Sequence, residues 1–136
     1  MTEEVYENIV HVLRQRIENM RDLLNATQAS VSVPIIQRIA KKMQNNLFVP
    51  TITVAGNILC DGHHRYLAAV LIKAEIRTKP GELSRDQPIF ELTNLDFQRS
   101  DWDKPADIER YMQEAADFYH RDLAEIRNLL CDSLIL

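Results

Sequence analysis

The residues best placed to do chemistry are Asp61-Gly62-His63-His64-Arg65, which follow the apolar run Ile58-Leu59-Cys60 and open a helix-forming stretch. A helix beginning here presents unpaired backbone N–H groups at the positive end of its dipole, a geometry that binds anions. Gly62 permits a positive φ or close approach of the backbone to a ligand. Arg65 can meet phosphate oxygens through a planar two-donor fork, and the imidazoles of His63 and His64 can donate hydrogen bonds that strengthen as negative charge develops. Such a cradle suits nucleotide phosphates and their transfer. The same residues also admit a plainer reading, in which Arg65 pairs with a surface carboxylate and the histidines cap the helix.

Asp61 would repel a phosphate unless it holds Mg²⁺, accepts a proton from a nucleophile, or turns away to cap the backbone. Capping or orienting the loop is the favoured role, with a catalytic base as the alternative. Tyr66 either stacks on a nucleobase or belongs to the core; Trp102, the only tryptophan, either closes a pocket or anchors the final helix. Glu75 and Asp96 qualify as helpers only by proximity in the chain. Cys60, His63 and His64 are competent zinc ligands, but adjacent histidines diverge, and His11 and His120 sit on amphipathic stretches without a ligand pattern. No metal centre built from protein ligands is expected. Cys60 reads as a small buried hydrophobe in a strand.

The elements that must position these residues follow from periodicity. Val5, Ile9, Val12, Leu13, Ile17, Met20, Leu23 and Leu24 recur at three- and four-residue steps, predicting a helix from Glu3 to about Leu24. After polar Asn25 to Ser32, Pro34 opens a second helix to about Asn45, with Ile35, Ile36, Ile39, Ala40 and Met43 on one side. Phe48 to Val54 is rich in β-branched residues, and Gly56-Asn57 signals a two-residue hairpin turn before Ile58-Leu59-Cys60. A central helix runs from His64 to Lys73. Weak strands are expected over Glu75 to Thr78 and Pro88 to Leu92, with a turn at Pro80-Gly81. Asp103-Lys104-Pro105 resembles an N-cap, and the last helix runs to Leu130 with a break near His120.

The chain has 136 residues, enough for one core, and no internal repeat or Gly/Ser linker. A single α/β (α+β) domain over 1–136 is expected, with a core of about 34–93 and long flanking N- and C-terminal helices. Those helices offer faces for a homodimer, or else cover the faces of the small sheet. A net charge of −4 argues against broad coating of DNA but not against local phosphate binding. With two cysteines and neither a signal-peptide h-region nor a long apolar span, the expectation is a soluble cytoplasmic protein without membrane association.

The stretch Val54 to Ala69, VAGNILCDGHHRYLAA, resembles the signature of the ParB/sulfiredoxin superfamily, in which a hairpin leads to a G-x-[RH]-R-[YW]-x-A-like helix start. The likeness extends more loosely from about Ile36 to Pro80. DGHHRYLAA with its following strand and Pro-Gly is also similar to ParB-like modules of bacterial polymorphic toxin systems, continued faintly by Asp101-Trp102-Asp103. The resemblance implies a small mixed sheet of the ParB/sulfiredoxin type. It implies that Gly62, His63, His64 and Arg65 cradle the phosphates of a nucleoside triphosphate, ATP or CTP, accompanied by Mg²⁺, as in ParB CTPases, sulfiredoxins and the free-serine kinases of this fold.

The departures are equally specific. Where sulfiredoxins carry a catalytic cysteine this chain has His63, so sulfinic-acid repair is not expected. The Asn-Ile-Gln-Arg-like second box and the helix-turn-helix of chromosome-partitioning ParB are missing, Asp107-Ile108-Glu109-Arg110 being too weak a substitute. The family's magnesium-binding acid therefore has no secure counterpart. The leading expectation is NTP-dependent phosphoryl transfer or hydrolysis. The alternatives are a nuclease acting on DNA or RNA, with His63 or His64 as general base or acid, and a non-catalytic nucleotide-gated or toxin-associated interaction module.

Overall fold

A computed structural model describes residues 1–131 and 133–136. It is a mixed α+β structure whose described residues form five helices and two small sheets. The first helix, α1 (Glu3–Asn19), is capped by the Thr2 hydroxyl and buries Ile9, Leu13 and Ile17. It ends short of Leu24 because the chain is drawn into pairing: Asn25 N–H donates to Asn57 O and Leu59 N–H to Asn25 O, both at 2.8 Å. Periodicity placed Leu23 and Leu24 on a helix, but long-range hydrogen bonds at a sheet edge decide their conformation.

Strand β1 (Ser30–Ser32) lies within the polar stretch that reads as a loop, and pairs in parallel with β5 (Asp96–Gln98). Helix α2 (Val33–Gln44) buries Val33, Pro34, Ile36 and Ala40. The hairpin of β2 (Ile52–Ala55) and β3 (Ile58–Asp61) turns at Gly56-Asn57, as expected, with Gly56 at φ 61°. Phe48 to Thr51 stays outside the strand, since Pro50 has no N–H to give and the Phe48 amide goes to the Tyr119 hydroxyl.

Helix α3 (His63–Ile72) follows β3 directly and is the most buried element, with Leu67, Ala68 and Leu71 inaccessible to solvent. Each buried leucine contributes about 1.5–3 kcal/mol. After Lys73 ends the helix in the left-handed region, β4 (Thr78–Pro80) joins β2 in parallel, giving the order β3-β2-β4. This strand sits later than Glu75 to Thr78. The expected strand over Pro88 to Leu92 reduces to a single bridge, Ala26 to Phe90, followed by a 3₁₀ turn at Leu92–Asn94. The expected single sheet is thus two, a three-stranded mixed one and a two-stranded parallel one, with isolated bridges tying Asn25 to Ile58 and Ala26 to Phe90.

Helix α4 (Pro105–Tyr119) is N-capped at Lys104 rather than at Asp103, its start held by the Asp107 carboxylate accepting from Lys104 N–H at 3.0 Å. The break near His120 is present, with His120 at φ 53°, and α5 (Leu123–Cys131) folds back. Two cores result. The main one joins α1, α2, α3 and the strands; a smaller one around Leu47, Ala116 and Ile126 docks the α4–α5 hairpin on the end of α2 instead of on a sheet face. No helix among the described residues is long and apolar enough to cross a membrane.

Candidate functional site

Strand β3 delivers Asp61 to the start of α3, and Gly62 makes the corner at φ 93°, ψ 35°. A Cβ there would lie 2.6 Å from Ile52 Cγ2 and 2.9 Å from the Arg65 guanidinium, so space and backbone both demand glycine. The first bond of the helix runs from Tyr66 N–H to Gly62 O at 2.9 Å. The amides of His63, His64 and Arg65 precede it and have no acceptor among the described residues. These are the open donors of a positive helix end.

The side chains divide. His63 is buried, and its Nε2 accepts the Thr27 N–H at 2.9 Å; His64 Nε2 accepts the Ser32 N–H at 2.9 Å. Because a backbone N–H can only donate, the neutral rings must carry their proton on Nδ1. No buried side-chain nitrogen or oxygen among the described residues lacks a partner, and neither Nδ1 has one, so both Nδ1–H groups reach solvent. Burial holds His63 below the usual imidazole range against the pull of Asp61, and takes His64 to about 4, helped by its neighbour His63. The histidines therefore pin the segment Thr27 to Ser32 against α3. The donor role expected of the imidazoles falls to Nδ1–H, and a general-base role for either histidine lacks a free lone pair.

Arg65 is partly committed. Its Nη1 donates to Thr51 O at 2.8 Å, and Nη2 stands 3.4 Å from the exposed Asp61 carboxylate. Asp61 makes no cap, since the N-cap is Gly62 without a side-chain hydrogen bond; that corrects the capping half of the expectation for this acid and leaves the loop-orienting half, with Asp61 beside Arg65. Tyr66 also departs from its base-stacking role. Only 8% exposed, it accepts from Leu24 N–H through its hydroxyl and faces a separate cavity between α1 and α3. Glu75 lies beyond the far end of α3, and exposed Asp96 is on β5. Cys60 is half-buried and unpaired by disulfide.

Several residues at the site were not legible as such. Arg65 lines a cleft of about 700 Å³ between α2 and α4, together with Arg38, Lys42 and Asp103. Arg38 forks onto Asp101 at 2.6 and 2.8 Å and reaches Asp103 at 2.9 Å; burial works against its charge, but the two carboxylates outweigh it and raise its pKa. The bond from Arg38 in turn depresses Asp101. This cross-link sets the loop of Trp102, whose ring meets His64 edge-on at 5.2 Å. The sequence signal was an apolar stripe on α2 too wide for one core contact: Ile36 and Ala40 are buried, while Ile35 and Ile39, interleaved with Arg38 and Lys42, line the cleft.

Among the described residues no group of three His, Cys, Asp or Glu side chains gathers as a metal centre. Mg²⁺ does not require one, since it commonly sits on one or two carboxylates and the substrate's phosphates. Exposed Asp61 beside the open amides fits that use. Comparison of the chain with protein-family models, with curated proteins and with solved structures found no match in any of the three.

Proposed function

We propose that the chain is a nucleotide-binding protein with the ParB/sulfiredoxin-like cradle, carrying out NTP-dependent phosphoryl transfer or hydrolysis. The observation that carries the reading is the open first turn of α3, with unpaired amides at His63, His64 and Arg65 beside a guanidinium on the wall of a large cleft. Oxyanions in that position meet aligned N–H dipoles and the N–H groups that Arg65 does not spend on Thr51 and Asp61. Asp61 would hold Mg²⁺ together with the phosphates, and the ion, when bound, offsets their charge. The resemblance over Val54 to Ala69 supports a triphosphate over a lone anion.

The nuclease alternative has less support. Both imidazole Nε2 lone pairs are occupied by backbone donors, and the net charge of −4 disfavours a long polyanion. Release of inorganic phosphate from ATP and CTP with Mg²⁺, scored also for transfer to small hydroxyl acceptors, tests the proposal. Turnover that Arg65→Ala reduces at least tenfold is expected. Binding without turnover would leave an interaction module, and metal-dependent nicking of DNA or RNA would favour the nuclease.

A further inference from the structure

The cleft between α2 and α4 extends well beyond Arg65, and its far end has a different chemistry. Phe48 and Phe118 stack there with centroids 5.7 Å apart and planes 23° from parallel, although both are largely exposed, at 57% and 64%. Tyr111, two turns before Phe118 on α4, lines the same cleft, and Lys42 Nζ lies 5.6 Å from its ring centre. Lys42 is partly buried and, among the described residues, has no carboxylate within ion-pair distance; Glu114 and Asp103 act on it only at longer range. The cleft is thus aromatic at one end, cationic in the middle and joined at Arg65 to the open amides of α3. Its volume falls within the roughly 300–1,000 Å³ typical of small-molecule sites.

We propose that this cleft is the base and sugar half of the nucleotide site, with the base against Phe118 and Phe48 and Lys42 facing the ribose and the first phosphate. The assignment rests on the phosphate reading of α3 and adds to it the rest of the ligand. Stacked, solvent-facing phenyl rings lose exposed apolar area when a flat base covers them, which is how sequence-tolerant base binding is ordinarily achieved. An unpaired ammonium on an apolar wall gains from an anion, and a nucleotide brings both groups at once. Of the acidic residues that line the cleft from α4 and the turn before it, Asp103 is held by Arg38, and Glu114 is exposed and acts on Lys42 only at long range. A wholly apolar occupant would leave Lys42 facing hydrocarbon, and a free phosphate would leave the rings uncovered.

Calorimetric titration of the wild type with ATP, CTP and GTP, beside inorganic tripolyphosphate, separates the halves of the site. The proposal expects at least one nucleotide to bind more tightly than tripolyphosphate by roughly 5- to 100-fold. Phe118→Ala, an exposed position whose variant should melt like the wild type, is expected to erase that excess. Tyr111→Ala is expected to reduce it. If nucleotide and tripolyphosphate bind equally, or if Phe118→Ala leaves the excess intact, the base lies elsewhere and this proposal fails while the phosphate reading stands. If neither ligand binds, both fail. Loss of self-association in Phe118→Ala, with nucleotide affinity unaltered, would assign the aromatic rim to contact between two copies of the chain.

Discussion

Protonating His64 should weaken the fold over a defined pH window. Its Nε2 accepts the Ser32 N–H at 2.9 Å, so a proton added there replaces a hydrogen bond with two donors facing each other. Burial lowers its pKa from 6.5 to about 4. Above pH 6.5 neither the folded nor the unfolded chain binds this proton, and stability from this source is complete. Below 6.5 the unfolded chain takes up the proton first, and stability falls until the folded ring also titrates near 4. The loss between pH 7 and 5 is about 1–2 kcal/mol from His64 alone, with His63 adding to it in the same direction. Asp101, depressed by Arg38, loses its contribution only as pH falls below the ordinary carboxylate range, so the two windows separate.

Urea unfolding at pH 7, 6 and 5 would measure this on the wild type and on His64→Gln, whose amide oxygen can still accept the Ser32 N–H but does not titrate. The wild type should lose more stability on acidification than the variant, by about 1–2 kcal/mol. Parallel lines for the two proteins, or an NMR titration placing His64 near 6.5, would refute the tautomer lock on which the description of the site depends.

Other substitutions probe the same architecture. Gly62→Ala should lower stability by about 1–3 kcal/mol, because a side chain at φ 93° meets Ile52 and the Arg65 guanidinium; denaturant melts would show it, and a neutral result would mean the corner relaxes freely. Arg38→Ala should cost about 1 kcal/mol, shift Trp102 emission and raise the His64 pKa, since burial and His63 still lower it but Arg38 no longer does while Asp103 raises it. Ile126→Ala removes a fully buried side chain from the smaller core and should cost about 2–4 kcal/mol. Hydrogen exchange should then rise in α4 and α5 before it rises in α3.

The legible parts of the fold were those governed by neighbouring residues. Gly56-Asn57 between apolar runs fixes the hairpin, and the glycine after Asp61 marks the helix start, because each requirement is local. The end of α1, the strands β1 and β5, and the cleft are products of long-range pairing. Leu23 and Leu24 satisfy a helical stripe until Asn25 finds Ile58, and Ser30–Ser32 becomes a strand only because Asp96–Gln98 lies beside it. At the site, sequence reading found the residues but not their directions. His63 and His64 turn inward to Thr27 and Ser32, Tyr66 turns to α1, and Arg38, Lys42 and Asp103 come to Arg65 from α2 and the start of α4. Asp103 looked like a cap because it precedes Lys104-Pro105, yet the nearby guanidinium of Arg38 claims it.

The most direct test of the phosphate cradle is calorimetric binding of ATP and CTP, each with and without Mg²⁺, to the wild type and to Arg65→Ala. The cradle predicts that at least one binds and that the substitution weakens it by about 10- to 100-fold, the loss of one charge-assisted hydrogen bond. Absence of binding, or binding indifferent to Arg65, would contradict it and leave the start of α3 a structural corner.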